Sequence, residues 1–226
     1  DIYSSAGAVF GGMPKSDQRA AKLSFTFSFS RINSKRFHEF KETEQKKYSE
    51  LMRECTVKGG FTHAISCTPD DVMWFNNQLS GFSGLDVKDL TQVEITGRKR
   101  MRITYDFFKK YVPGFENCYL MDTATQTGVR CTRRLAGEYM VTMEDIESGA
   151  VHGDTILEAP SFLATVTEKP HIHVPYRCLV PEKIDNLLTA GRCVSADEMA
   201  INTLSPIQFC IGTGQAAGTA AAGSRP

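Results

Sequence analysis

Residues 23 to 30 read LSFTFSFS, so that Leu23, Phe25, Phe27 and Phe29 fall on one face and Ser24, Thr26, Ser28 and Ser30 on the other. A period of two puts alternate side chains on opposite sides of a strand, and this stretch therefore predicts a sheet with one buried and one polar face. The phenylalanine face needs an apolar cover, and the flanking sequence offers helices for it. Asn33 or Ser34 caps a helix expected to run to about Cys55, with Phe37, Phe40, Tyr48, Leu51 and Met52 along one stripe. The charges of KETEQKK fall on its solvated side. Gly59-Gly60 ends that unit, and strands are expected from about Phe61 to Cys67 and from Val72 to Gln78, joined by the turn Thr68-Pro69-Asp70-Asp71. Thr91-Gln92-Val93-Glu94 has the form of a capping box for a second long helix. That helix turns Phe107, Phe108, Tyr111 and Val112 inward and GRKRMR outward until Pro113-Gly114 stops it.

Beyond Tyr119 short strands and turns are expected as far as Thr142, where Thr142-Met143-Glu144-Asp145 starts a short helix. His171 to Val180 is strand-like, with Pro175 marking an edge or a break. Asn186 to Ala190 is an apolar run ending at Gly191, and PIQFCIGTGQAAGTAAA is a helix of small residues. The 226 residues carry 26 basic and 26 acidic side chains, and that balance offers no basic surplus for releasing counterions from a polyanion. No nucleic-acid partner is expected. No apolar run is long enough to span a bilayer, and the first residues lack the pattern of a secretory signal. The 7 cysteines are odd in number, widely spread and without a C-x-x-C pair, which argues against a disulfide framework or a zinc ribbon and for a reducing, cytoplasmic location.

Gly212 to Ala217 satisfies G-x-G-x-x-A, a dinucleotide pattern whose mechanism needs a further strand and an acidic residue about 20 positions on. Neither follows, so the glycines are read instead as clearing a helix face, with Gly214, Ala217, Gly218 and Ala221 leaving it nearly bare for a backbone or a flat cofactor. Ser205-Pro206-Ile207-Gln208 sits where that helix starts, a place of unsatisfied N–H groups and partial positive charge, and Pro206 suits a first turn. His171 and His173 share a strand face at a spacing that suits two metal ligands, but no third is evident and no metal is assigned. Arg130, Arg133, Arg134 and Arg177 have apolar neighbours, and partly buried arginines take a carboxylate partner or a substrate. No G-x-S-x-G, H-E-x-x-H or Walker loop is present, and no catalytic residue is assigned. Tyr176, His173 and His63 are the candidates for proton transfer.

Five strings, AGAVFGG, GRKRMRITYDFFKKYVPGFENCYL, TGVRCTRRLAGEYMVTMEDI, VPYRCLVPEKIDNLLTAGRCVSADEMA and GTGQAAGTAAA, taken in order, resemble the later half of the FAD-dependent oxidoreductases of the glutathione-reductase-like flavoprotein class, which includes the flavin subunit of heterodisulfide reductase. The stretches 127–145 and 175–218 are the specific part. The first half of that family carries a Rossmann G-x-G-x-x-G, absent here, so the resemblance implies a C-terminal fragment, with the oxidoreductase activity expected of the full-length protein and not of the fragment alone. It further implies that Gly191-Arg192-Cys193, after the strand NLLTA, approaches the ribityl and pyrophosphate side of FAD. Ile207 and Gln208 would face the flavin pyrimidine ring, with Gly214 beside it. Arg130, Arg134 and Arg177 would line or brace the space between the flavin and substrate domains, while His173, from its place on the strand alone, is a candidate wall of the substrate pocket. Family members often carry arginine where Ser205 stands and an acidic residue where Cys131 stands.

These readings combine into a mixed α/β chain: residues 1–14 closing an FAD-domain segment, 15–174 a substrate or cap domain of α+β type, and 175–226 a strand-helix return to a Rossmann-like FAD domain. The expected activity is hydride or electron transfer between a small-molecule substrate and FAD, with self-association, as a homo-oligomer or through a truncated face, as a further expectation. The competing expectation is a non-enzymatic module holding an anionic or sugar-like ligand.

Overall fold

The structure, a computed structural model, describes residues 10–11, 23–67, 71–130, 132–160 and 171–223. Packing divides the chain into two compact units, Arg19–Arg130 on one hand and Asp1–Gln18 with Cys131–Pro226 on the other. The short strand β1 (Phe10–Gly11) belongs to the second of these.

The Arg19–Arg130 unit is built on β2 (Leu23–Ser30), the alternating segment. Its Leu23, Phe25, Phe27 and Phe29 are fully buried, as the period-two pattern requires. The helix predicted from Asn33 onward forms as two pieces, α1 (Ser34–Thr43) and α2 (Gln45–Val57), parted at Glu44 with φ −116 and ψ 45. Asn33 caps α1, its Oδ1 accepting the Arg36 N–H at 3.0 Å. At the other end Thr43 spends its hydroxyl on the Glu39 carbonyl, a back-bond that weakens a helix end. The offset sets Tyr48 edge-on to both Phe37 and Phe40, with centroids 6.1 and 6.3 Å away. Strands β3 (Ala64–Cys67) and β4 (Met73–Leu79) follow, while residues 68–70 of the expected turn lie outside the described residues.

The second long helix, α3 (Val87–Tyr111), starts a turn earlier than Thr91. Asp86 is the cap, its Oδ1 accepting the Lys88 N–H at 2.8 Å, whereas Thr91 bonds back to Val87 and Glu94 is drawn to the Thr127 N–H and to Arg98. Aspartate caps as well as threonine does, and the earlier cap adds a helical turn. The buried face of α3 lays Val93, Met101, Phe107 and Phe108 into the same core as the phenylalanines of β2, and Gly97 lets the helix settle onto Phe25. At the heart of that core Phe27 stacks on Phe75, 4.8 Å between centroids. After Gly114, at φ +94, come β5 (Tyr119–Thr123) and β6 (Gly128–Val129). The antiparallel order is β3-β4-β2-β5, with β6 also on β2. A bulge at Ser28/Phe29 bends the β5 ladder, and the Asp122 carboxylate takes the Thr123 N–H at 2.7 Å, both devices that blunt an edge.

In the other unit β7 (Arg134–Leu135) pairs with β1. The predicted capping box at Thr142 is present, with Asp145 as its reciprocal partner, and opens α4 (Met143–Ser148), which ends at Gly149 with φ +64. Strands β8 (Thr155–Pro160) and β9 (His171–Pro175) form an antiparallel pair. Where a strand was expected to continue to Val180, Tyr176–Leu179 coils into a 3₁₀ turn, because the Arg177 N–H turns aside to Asp154. Nor is NLLTA a strand: within it Thr189 alone joins a neighbouring backbone, at the Leu179 carbonyl, and a 3₁₀ turn follows at Gly191–Cys193. Two helices close the chain, α5 (Ala200–Leu204) and the long α6 (Ile207–Gly223). The core of this unit is assembled from Val141, Ile146, Ile172, Val174, Leu179 and Phe209. The mixed α/β class read from the sequence is the class observed.

Candidate functional site

The 3₁₀ turn Gly191–Cys193 lies against α6. Gly191 holds φ +77, a conformation that costs an L-residue a steric clash. A Cβ there would find its nearest neighbour, the Cys210 Sγ, at 3.8 Å, so backbone angle and not space demands the glycine. Its N–H donates to the buried Thr213 Oγ1 at 3.0 Å, and that hydroxyl donates in turn to the Phe209 carbonyl at 2.8 Å. A single threonine thus pins the turn to α6. Arg192 is exposed, and Cys193 is half-buried with its thiol directed to the Ala190 carbonyl at 3.3 Å.

Helix α6 presents two kinds of surface. Phe209 and Cys210 return their N–H groups to the Pro206 carbonyl, which leaves those of Ile207 and Gln208 without an intrahelical acceptor. Both of these residues are exposed. Ile207, Ile211, Gly214 and Gly218 follow one another at helical spacing along an open stripe, and a Cβ added to either glycine would meet nothing within 4 Å. Ala217, expected on that stripe, instead packs with Ala216 against the core. Gly212 has a role that sequence reasoning missed: a Cβ there would lie 2.9 Å from Leu157, so it permits the close approach of β8. The signal was available, since glycine in a helix interior is costly without a packing reason. Ser205, just before the helix, is buried with its hydroxyl on the Asn202 carbonyl at 3.3 Å.

The remaining candidates are dispersed. Arg177 grips Asp154 with a forked pair of bonds at 3.0 and 3.3 Å and lies over the Tyr139 ring, 5.0 Å from its centroid. Tyr139 donates to Asp145 at 3.0 Å, so the capping box of α4, the ring and the ion pair form one polar cluster. Arg134 is buried on β7. His171 pairs with Glu158, and His173 stands opposite Glu158 in the β8–β9 ladder. Tyr176 lines a groove of about 420 Å³ between β8 and α6, with Leu157, Gln215 and Ala216. Arg130 and His63 belong to the Arg19–Arg130 unit, and Cys131 lies outside the described residues. The structure therefore gathers Gly191, Cys193, Ile207, Gln208 and Gly214 on two contacting elements, and gives Arg177 a carboxylate within its own unit. Among the described residues no three His, Cys, Asp or Glu side chains are grouped to hold a metal ion, and no helix is long and apolar enough to cross a membrane.

No curated protein and no solved structure matches the chain. A family profile described as FAD dependent oxidoreductase matches residues 8–225, nearly the whole length. With that coverage, and with a glycine turn pinned to an open glycine-bearing helix, the chain belongs to the FAD dependent oxidoreductase family, whose cofactor is FAD.

Proposed function

We propose that this protein passes a hydride or electrons between a small-molecule substrate and FAD, as a member of the glutathione-reductase-like class that includes the heterodisulfide reductase flavin subunit. The observation that carries the reading is the open stripe of α6 beside the Gly191 turn. The residues fit a flat, anionic cofactor: Gly214 and Gly218 leave room that a side chain would fill, and two helix N–H groups at Ile207 and Gln208 have no intrahelical acceptor. When bound, FAD supplies the redox chemistry, and the protein orients it and tunes its potential. Gly191, Arg192 and Cys193 would offer main chain at close range to its ribityl and pyrophosphate portion. The start of α6, with about half a positive charge at its end, would stabilise negative charge at Ile207 and Gln208.

Arg134, Arg177 and His173, with Arg130, are the proposed substrate-side residues. For Arg177 the ion pair with Asp154 supports a bracing role, since both bonds of its fork are already engaged. Segments 1–14, 15–174 and 175–226 remain the proposed division by function, while packing alone groups Cys131–Pro226 with Asp1–Gln18.

The test is substitution on the stripe. Gly214→Leu and Gly218→Leu replace glycines that have open space beside them, so each is expected to raise helix stability by about 0.5–1 kcal/mol. Both are expected to abolish the flavin absorbance of the purified protein and its bleaching by dithionite. A folded double variant that still binds FAD like the parent would remove the reading.

A further inference from the structure

The face of the central sheet turned away from α3 carries features that the core does not explain. The register places Trp74, Ser28 and Asp122 in one row across β4, β2 and β5, and Asn76 beside Thr26 in the next. Ser28 is 0% exposed and its Oγ has no hydrogen-bond partner among the described residues; the Asn76 Oδ1 is likewise buried without one among them. An unpaired buried hydroxyl or amide oxygen forfeits its hydration for nothing in return, and alanine would serve the strand better at position 28. Trp74, the only tryptophan in the chain, stands on this same face 39% exposed. Local rules broken without a packing gain mark functional positions.

We infer that this face binds a small, neutral, polyhydroxylated molecule, a sugar or polyol, with Trp74 as its stacking platform and Ser28 and Asn76 as its polar anchors. The indole face is electron-rich and suits the C–H face of a sugar ring. The ring's hydroxyls would satisfy the Ser28 hydroxyl and the Asn76 carbonyl oxygen, which has only lone pairs to offer and so selects a donor. Charge argues against an anion, because the one charged residue in these rows is Asp122, a carboxylate. Spacing argues against a lone ammonium: Trp74 and Asp122 flank β2 at two strand spacings, roughly 10 Å, the span of a hydroxylated ring. Ser28 is fully buried, so a ligand reaches its hydroxyl only if a neighbouring side chain moves, and Trp74, its cross-strand partner on β4, is the neighbour assigned that motion. The inference names a substrate class for the proposed oxidoreductase, and it rests on that reading only in calling the bound molecule a substrate.

A single tryptophan makes the experiment direct. The emission of the 226-residue chain is followed while D-glucose, D-xylose and D-mannitol are added separately, with inorganic phosphate and choline as controls. At least one neutral compound is expected to give a saturable change, and phosphate and choline none. Ser28→Ala and Asn76→Ala are each expected to weaken that binding fivefold or more. Ser28→Ala should also raise Tm, since it deletes an unpaired buried hydroxyl, so lost binding cannot be put down to lost folding. No saturable response to any neutral compound, an equal response to phosphate or choline, or unchanged affinity in a folded Ser28→Ala protein would each overturn the inference. Because the signal comes from Trp74, a negative result leaves flavin binding as it was, and loss of FAD leaves this titration readable.

Discussion

Asp154 and Arg177 show how one pair can fix a turn. The hydrogen bond from Arg177 holds the Asp154 carboxyl below its ordinary value of 3.8, and the same contact holds the Arg177 guanidinium above its own. A carboxylate whose folded pKa is depressed adds stability that is fully present above its unfolded pKa and is lost as pH falls through the folded one. Asp154→Asn is therefore expected to lower Tm at pH 7, with the gap to the parent closing as pH drops below about 4. A gap unchanged down to pH 2 would refute the assignment. Thiols give a second residue-scale prediction. Burial pushes the Cys178 thiol up to about 12 and those of Cys55 and Cys118 up to about 11. These three are expected to resist iodoacetamide at pH 7.5 until the protein is denatured, while half-exposed Cys193 and Cys210 are alkylated first, as peptide mass spectrometry would show. Apolar neighbours in the sequence suggested a partly buried Arg177, but its side chain is exposed, and the carboxylate partner is what the expectation had right. That partner lies 23 residues away and was invisible until the fold brought them together.

Periodicity carried the elements well where one face is buried. The strand Leu23–Ser30 forms because its apolar residues alternate, the stripe from Phe37 to Cys55 reaches the core although its helix is broken at Glu44, and the helix of small residues at the C-terminal end forms as well. Reading failed where two local signals competed. Asp86 and Thr91 can both cap a helix, and only the packing of α3 decides between them; Asp86→Ala should accordingly cost about 1 kcal/mol, read from the denaturation midpoint, and Thr91→Ala much less. Reading failed too at NLLTA, expected to be a strand, since an apolar run does not say whether a ladder partner will be there. Gly97 illustrates opposing magnitudes on one element. Alanine there gains about 1 kcal/mol of helix propensity, but its Cβ would lie 2.8 Å from the ring of fully buried Phe25. Overpacking costs about 1–3 kcal/mol, so Gly97→Ala is expected to be destabilising by about 1 kcal/mol net. A variant more stable than the parent would show that α3 can lift from the sheet without penalty.

On the scale of the whole molecule, balanced charge and uncovered apolar surface act together. The chain carries 26 basic and 26 acidic side chains, with a pI near 7.1, so at neutral pH little net repulsion keeps copies apart. The stripe of α6 adds Ile207 and Ile211, 72% and 64% exposed, one turn apart on the same face. Composition disclosed the charge balance, and the glycine-alanine tail disclosed that a face would be bare. That the two isoleucines share this face depended on knowing which side of α6 meets β8, which Gly212 decides and no spacing rule reveals. Association is therefore expected to peak near pH 7 at low salt, measured as mean mass by light scattering, and to fall on either side as net charge grows. Ile207→Lys with Ile211→Lys adds two positive charges and removes both apolar side chains from solvent. It should move the association maximum to higher pH and lower it at every pH, with helicity unchanged because neither side chain belongs to the core. An unchanged scattering profile in the double variant would mean that copies meet elsewhere, and that the open stripe of α6 is left free for FAD alone.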